Sequence, residues 1–270
     1  MTCSPTLCNF PYLASGLEYN VVAEGKIWIL FFNLVKIVKF IRFLPRNLND
    51  NILCAARAAC ILMSRWRVLV LPSLLILDDF IADPLAARNA ALALNYDPDN
   101  KHGNYPGHIS TSPLDIQGLN ERIGGIINAP VKAAPNTSHL HCRITLKGDK
   151  GKSGVHIDPA FYSGILYLSL PEQCKGGTEF FRHKRTGLER VPTDMPSIRE
   201  AGYSDINALI ENVVNKDTNH PAQWTKVMTV PMRFNRLILF SPWMFHNSGA
   251  AFGRSPADGR LVNLMFFAKG

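Results

Sequence analysis

Residues 154–182 read GVHIDPAFYSGILYLSLPEQCKGGTEFFR, and this stretch decides the fold. Three short runs rich in β-branched and aromatic residues, Gly154–Ile157, Gly164–Leu170 and Gly177–Arg182, are separated by proline and glycine. Such punctuation marks strands joined by turns. Working outward, the same texture recurs at His139–Lys147, Val227–Met232, Arg236–Ser241, Met244–Asn247 and Arg260–Ala268. The series predicts a mainly β domain of eight short strands folded as a double-stranded β-helix, or jelly roll.

The first run also carries chemistry. In an extended chain, residues i and i+2 point to one face. His156 and Asp158 therefore aim an imidazole and a carboxylate at a common point, and Pro159 ends the segment at once. His246, between Pro242 and Gly249, supplies a second imidazole from a distant strand. Two histidines and one carboxylate form the facial arrangement that suits non-haem Fe(II), because open coordination positions remain for substrate and oxygen. A His-x-Asp pair alone is common; the distal His in a strand series is what gives it weight.

Flanking helices are expected on the N-terminal side of this series. Val68–Leu77 is an apolar, branched strand signal. Asp83-Pro84 then opens a helix at Leu85–Leu94, with Asp as N-cap and Pro as first helical residue. Residues 97–113, rich in Gly, Pro, His and Asn, read as a loop, and Leu114–Ile127 as a further helix. Between the two halves of the strand series lies Arg185–Gln223, long and polar, with a candidate helix at Ile206–Val214. So long a connection in a β domain is expected to be a lid, a binding loop or a disordered insert, and it and the Asn95–Pro113 loop are expected to shape the pocket.

Residues 1–66 are different in kind. The segment 27–44, IWILFFNLVKIVKFIRFL, interleaves Lys36, Lys39 and Arg42 with apolar residues. Its uninterrupted apolar run is too short to span a bilayer, and its charges lie on the wrong side for a secretory signal. A packed or poorly ordered helical extension, a basic amphipathic helix on a membrane surface and an inefficient membrane anchor are the readings left open. The boundary with the β domain is placed at residue 67. The net charge of +8 is concentrated here: residues 1–67 hold eight Lys/Arg against three Asp/Glu. The rest of the chain is nearly balanced, which argues against a nucleic-acid-coating protein. The six cysteines, irregularly spaced and without a Cys-x-x-Cys pair, read as free thiols of a reducing, cytoplasmic compartment.

The chain resembles the 2-oxoglutarate- and Fe(II)-dependent dioxygenases, in particular the prolyl-4-hydroxylase-like branch and its uncharacterised bacterial members. The resemblance rests on His156-Ile157-Asp158, the strand Ile165-Leu166-Tyr167-Leu168 and the turn Gly176-Gly177-Thr178-Glu179-Phe180. In the distal half it rests on Asn235–Phe240 before His246 and on Arg260 after it. It covers residues 139–183 and 226–268. It implies that His156, Asp158 and His246 hold Fe(II) and that 2-oxoglutarate and O2 are cosubstrates. A C–H bond of an amino acid, peptidyl or small-metabolite substrate would be hydroxylated, with release of succinate and CO2.

The resemblance also implies a cation for the far carboxylate of 2-oxoglutarate, and an Arg fork matches a carboxylate bidentately. Arg260 is the choice, at the head of a strand whose alternate members Val262, Leu264 and Phe266 share its face. Arg254 is the rival, because family spacing from the distal His is often nearer ten residues. Tyr167 is a second contact for that carboxylate, and Thr178 lines the same cavity. Retention of Asp158 argues against a family-style halogenase.

Two alternatives stand beside this. One is a binding protein on the same scaffold with a vestigial metal site. The other is a cupin-type metal enzyme using His139 and His141, a His-x-His pair on one strand face, although that pattern also wants a Glu where Thr145 stands. Arg143 shares that face and is within reach of the site. His183, in Arg182-His183-Lys184-Arg185, reads as a solvated exit from a strand; His102, His108 and His220 read as polar surface. Gly151-Lys152-Ser153 imitates the end of a phosphate-binding loop, but the first glycine of that motif is missing and no helix follows.

Overall fold

The computed structural model describes residues 72–96 and 105–270. The expectations for residues 1–66, including the 27–44 segment, lie outside the described residues, as does His102. Among the described residues no helix is long and apolar enough to cross a membrane.

The chain runs β1 (Leu74–Leu77), α1 (Pro84–Ala93), β2 (His108–Pro113), α2 (Leu119–Ile127), β3 (Val131–Ala133), β4 (His141–Thr145), β5 (Tyr162–Tyr167) and β6 (Gly177–His183). It continues through α3 (Met195–Glu200), α4 (Ile206–Leu209), β7 (Trp224–Pro231), β8 (Leu237–Phe240), β9 (His246–Asn247) and β10 (Arg260–Lys269). Two antiparallel sheets result, consistent with a jelly-roll-like fold. The larger has the order β1-β8-β5-β10-β4-β2, with β3 added beside β10; the smaller is β7-β6-β9.

Strand alternation divides the core cleanly. Successive side chains of a strand point to opposite faces. On one face of the larger sheet, Tyr162 and Leu166 of β5, Leu237 and Leu239 of β8, and Leu261, Met265 and Phe267 of β10 pack with Phe80, Leu119, Ile123 and Ile127. The helix α2 presents Leu119, Ile123 and Ile127 to that face, at the three-to-four spacing of an amphipathic helix. On the other face, Tyr167, Ile238, Phe240 and Val262 meet Phe180 and Val230 from the smaller sheet. The inner faces of both sheets therefore enclose a second core, and the site opens beside it.

The local signals act as expected at several points. The Asp83 side chain accepts the Ala86 amide at 2.9 Å, with Pro84 in the first helical turn. Gly177 is required where it stands, because a Cβ there would collide with the Val230 carbonyl oxygen across the β6–β7 pair. Other expectations are corrected. The segment 97–113 is not all loop: His108–Pro113 is an edge strand on β4. The helix expected from Leu114 begins at Leu119, because the Leu114 amide is taken by the Leu140 carbonyl at 2.8 Å. Residues 154–157 form no strand; His156 makes a single antiparallel bridge to His246.

The insert 185–223 is a folded layer on the smaller sheet. The helix α4 continues without a break into a π-helical turn over Ile210–Asn215, and Leu209, Val213 and Val214 bury against Val155, Trp224 and Phe245. His183 is not solvated as its basic neighbours imply. It is wholly buried and bonded to Asp217 at 3.0 Å and to Thr186 at 3.0 Å. Asp217 also accepts the Trp224 indole N–H on its backbone oxygen at 2.8 Å. Truncating a buried polar group strands its partner. Asp217→Ala should therefore destabilise the fold by about 2–4 kcal/mol in urea unfolding. Asp217→Asn, which keeps an acceptor oxygen, should restore most of that loss.

Candidate metal centre

The three sequence-selected ligands converge. His156, Asp158 and His246 offer ligand atoms that all lie within 4.8 Å of one another. His156 and His246 pair through reciprocal backbone bonds, each amide to the other's carbonyl at 3.0 Å. The Asp158 amide donates to the Pro242 carbonyl at 3.1 Å, which ties the carboxylate to the segment that carries His246. Thus β9 and the His156–Asp158 segment are locked side by side, and the ligands follow.

The imidazoles are also oriented. His156 Nδ1 is 2.9 Å from the Gly154 carbonyl, and His246 Nδ1 is 2.7 Å from the Met244 carbonyl. A carbonyl accepts only, so each Nδ1 carries its proton and each Nε2 is left with a lone pair. This is the outer hydrogen bonding typical of metal-ligating histidine. The Nε2 atoms face Asp158: His246 Nε2 is 3.2 Å from Oδ2 and His156 Nε2 is 3.8 Å from Oδ1. The Ser163 hydroxyl donates to Asp158 Oδ2 at 2.6 Å. Phe240 packs edge-on against the His246 ring, with centroids 4.7 Å apart.

Electrostatics favour the protonation states a metal needs. Burial pushes the His156 imidazole down to about 4, and the neighbouring His246 adds to this while Asp158 opposes it. For Asp158, burial acts upward, but the neighbouring His246 and His156 and the Ser163 hydroxyl prevail and hold it at about 2. A neutral imidazole and an ionised carboxylate are thus in place at neutral pH.

The cavity beside these ligands is bounded by Ile165 of β5, by Val262, Leu264 and Phe266 of β10, and by the Tyr105–Pro106 loop. Two arginines reach into it. Arg260 is 2% exposed, and its Nε and Nη2 have no partner. Arg143 lies on β4, opposite Val262. The rival Arg254 is exposed and is not among the lining residues. Tyr167 and Thr178 are fully buried and bonded to each other, hydroxyl to hydroxyl at 2.8 Å, and Tyr167 also accepts the Thr178 amide at 3.0 Å. Neither is among the residues that line the cavity; Tyr167 stands behind Arg260, whose guanidinium carbon is 5.9 Å from its ring.

Other placements differ from expectation. His139 and His141 do not share a strand face: β4 begins at His141, and His139 lies in the preceding turn, accepting the Phe266 amide at 3.0 Å. His141 donates to the Ser110 carbonyl at 2.7 Å, and among the described residues neither His139 nor His141 belongs to a cluster of three or more metal-ligating side chains. No residue of the insert 185–223 is among the lining residues, whereas the Asn95–Pro113 loop, the other segment expected at the pocket, contributes Tyr105 and Pro106. Ser163 and Tyr105 were missed by sequence reasoning. Ser163 was within reach of it, because alternation from Tyr167 through Ile165 puts Ser163 on the inner face. Tyr105, whose ring lies 4.2 Å from that of His156, sits in an aperiodic loop and gave no signal.

A family model described as "Family of unknown function (DUF6445)" matches residues 71–267. No curated protein matches the sequence. Among solved structures, the Fe(II)/(alpha)ketoglutarate-dependent dioxygenase TqaL, as a selenomethionine-labelled protein, is 12% identical with a TM-score of 0.35. That match covers 78% of this chain and 87% of the other.

Proposed function

We propose that this chain, which belongs to the DUF6445 family, is an Fe(II)/2-oxoglutarate-dependent dioxygenase on a double-stranded β-helix scaffold. The observation that carries the reading is the pairing of a pre-oriented His156–Asp158–His246 centre with a buried arginine lacking a partner in the same cavity. Fe(II) and 2-oxoglutarate, when bound, supply O2-dependent hydroxylation of a C–H bond with release of succinate and CO2.

The chain's own residues then divide the work. His156 and His246 present Nε2, and Asp158 presents a carboxylate kept ionised, to one ion. Ser163 fixes the rotamer of Asp158. Arg260 meets the distal carboxylate of 2-oxoglutarate with the Nε and Nη2 donors that have no protein acceptor; an Nε–Nη2 edge is the geometry that a carboxylate takes bidentately. Tyr167, held by Thr178, stands behind Arg260 and backs that contact. Ile165, Val262, Leu264 and Phe266 keep the intervening wall apolar, which strengthens each charged contact by excluding water.

The test is succinate release from 2-oxoglutarate, assayed with Fe(II) against a library of metabolites and peptides. A substrate-stimulated, Fe(II)-dependent signal supports the reading. Full metal loading with no 2-oxoglutarate consumption under any condition contradicts it.

A further inference from the structure

We propose that Arg143 is a second anion site in this cavity, and that the primary substrate carries a carboxylate on an apolar body. This rests on the dioxygenase reading and adds the substrate class to it.

Three observations lead there. First, Arg143 shares the inner face with Arg260 but lies elsewhere on it. Arg143 pairs with Val262, and Arg260 pairs with Thr145, so the two cations are diagonal neighbours on adjacent strands. Diagonal neighbours are roughly 7–8 Å apart. Arg260 lies near the Tyr167 ring, whereas the Arg143 guanidinium carbon lies 5.7 Å from the ring of Tyr105, which itself packs on His156. One cation therefore serves the deep wall and the other the metal-side wall.

Second, Arg143 has donors to spare. Its Nη1 donates to the Tyr105 and Pro106 carbonyls at 3.1 and 3.2 Å, which fixes its position and holds the loop. Among the described residues its Nε and Nη2 meet no acceptor, and it has no acidic partner. Burial pushes this guanidinium down to about 10, with Tyr105 opposing the shift and Arg260 adding to it. Buried arginines are ordinarily paired.

Third, the charges do not balance without it. Among the described lining residues Asp158 is the sole acid, against Arg143 and Arg260. A divalent ion would add two positive charges, and 2-oxoglutarate would cancel two. One positive charge is left over. A monoanionic carboxylate fits it bidentately, and the apolar side chains of Ile165, Leu264 and Phe266 suit the remainder of such a molecule.

The test uses the full chain with Zn(II) as a diamagnetic stand-in for iron. Saturation-transfer NMR is recorded with N-acetyl-leucine and N-acetyl-phenylalanine, with their methyl esters, and with 2-oxoglutarate. Transfer to the acids and not the esters, surviving saturating 2-oxoglutarate, is the expected result. Arg143→Gln should weaken acid binding by at least about tenfold, while Arg260→Gln leaves it in place and removes 2-oxoglutarate binding. Because Gln could free the Tyr105 loop, Arg143→Lys is the companion variant and should recover part of the acid signal. Acids displaced by 2-oxoglutarate, bound no better than esters, not bound at all, or bound equally by Arg143→Gln, would overturn the proposal. So would Arg143→Lys binding no better than Arg143→Gln. Absence of any transfer to 2-oxoglutarate strikes instead at the dioxygenase reading, and the acid–ester comparison still decides the role of Arg143.

Discussion

Arg260→Met should make the ligand-free protein more stable and the cosubstrate complex far weaker. The two effects have opposite signs and a common cause. Arg260 is buried with Nε and Nη2 unpartnered, and burial lowers its affinity for its own proton. An uncompensated buried charge costs several kcal/mol, and apolar replacements of similar volume are often stabilising by about 1–4 kcal/mol. Methionine is unbranched and fills irregular gaps, so it can follow the path of the arginine stem beside Val262 and Leu264. Urea unfolding of the metal-free protein should show a gain of about 1–3 kcal/mol. Titration of the metal-loaded protein with 2-oxoglutarate should show a loss of roughly 30-fold or more, corresponding to the 2–5 kcal/mol of a severed buried charge pair. A structural arginine would give the reverse pattern: a destabilised fold with cosubstrate affinity unchanged.

Asp158→Asn should leave the fold intact and weaken Fe(II) or Co(II) binding by more than about 100-fold. Asn keeps the shape of Asp and can still accept the Ser163 hydroxyl. What it lacks is the charge that the site holds ionised by His246, His156 and Ser163 against the cost of burial. Loss of an outer hydrogen-bond partner typically costs 10–100-fold in metal affinity, so loss of the ligand charge should exceed that range, and Ser163→Ala should fall within it. Isothermal titration with Co(II) measures both. Equal affinity in wild type and Asp158→Asn would mean that the ion sits elsewhere. The two variants probe different ends of one cavity, so their effects on cosubstrate binding separate metal loss from loss of the distal contact.

Much of this architecture was legible because it is written in short-range pattern. The runs at β5, β8 and β10 are rich in apolar, β-branched and aromatic residues between turn signals, and the structure buries both of their faces. The convergence of His156, Asp158 and His246 was legible because His156 and Asp158 are two residues apart, and because His246 lies in a strand series that had to return to the same place. The place of Arg260 in the cavity was legible from its position at the head of β10. What failed depended on partners distant in sequence. β2 has an irregular composition and is an edge strand defined only by its pairing with β4. His183 looked solvated among basic neighbours, and its counterpart Asp217 lies 34 residues away in the insert. The insert was expected at the pocket because it is long and polar, yet Leu209, Val213, Val214 and Trp224 make it a packed layer. Of the two segments expected at the pocket, only the Asn95–Pro113 loop reaches it, through Tyr105 and Pro106, with Gly107 essential because a Cβ there would strike the Ile144 carbonyl oxygen.

Absorption spectroscopy under anaerobic conditions tests the metal and cosubstrate assignments together. Fe(II) is added to the full chain, followed by 2-oxoglutarate, and the same additions are made to Asp158→Ala. A weak visible charge-transfer band that saturates with stoichiometric 2-oxoglutarate in the wild type, and is missing from the variant, is the predicted result. A folded wild-type protein with no band, or a band of equal strength in Asp158→Ala, would contradict it.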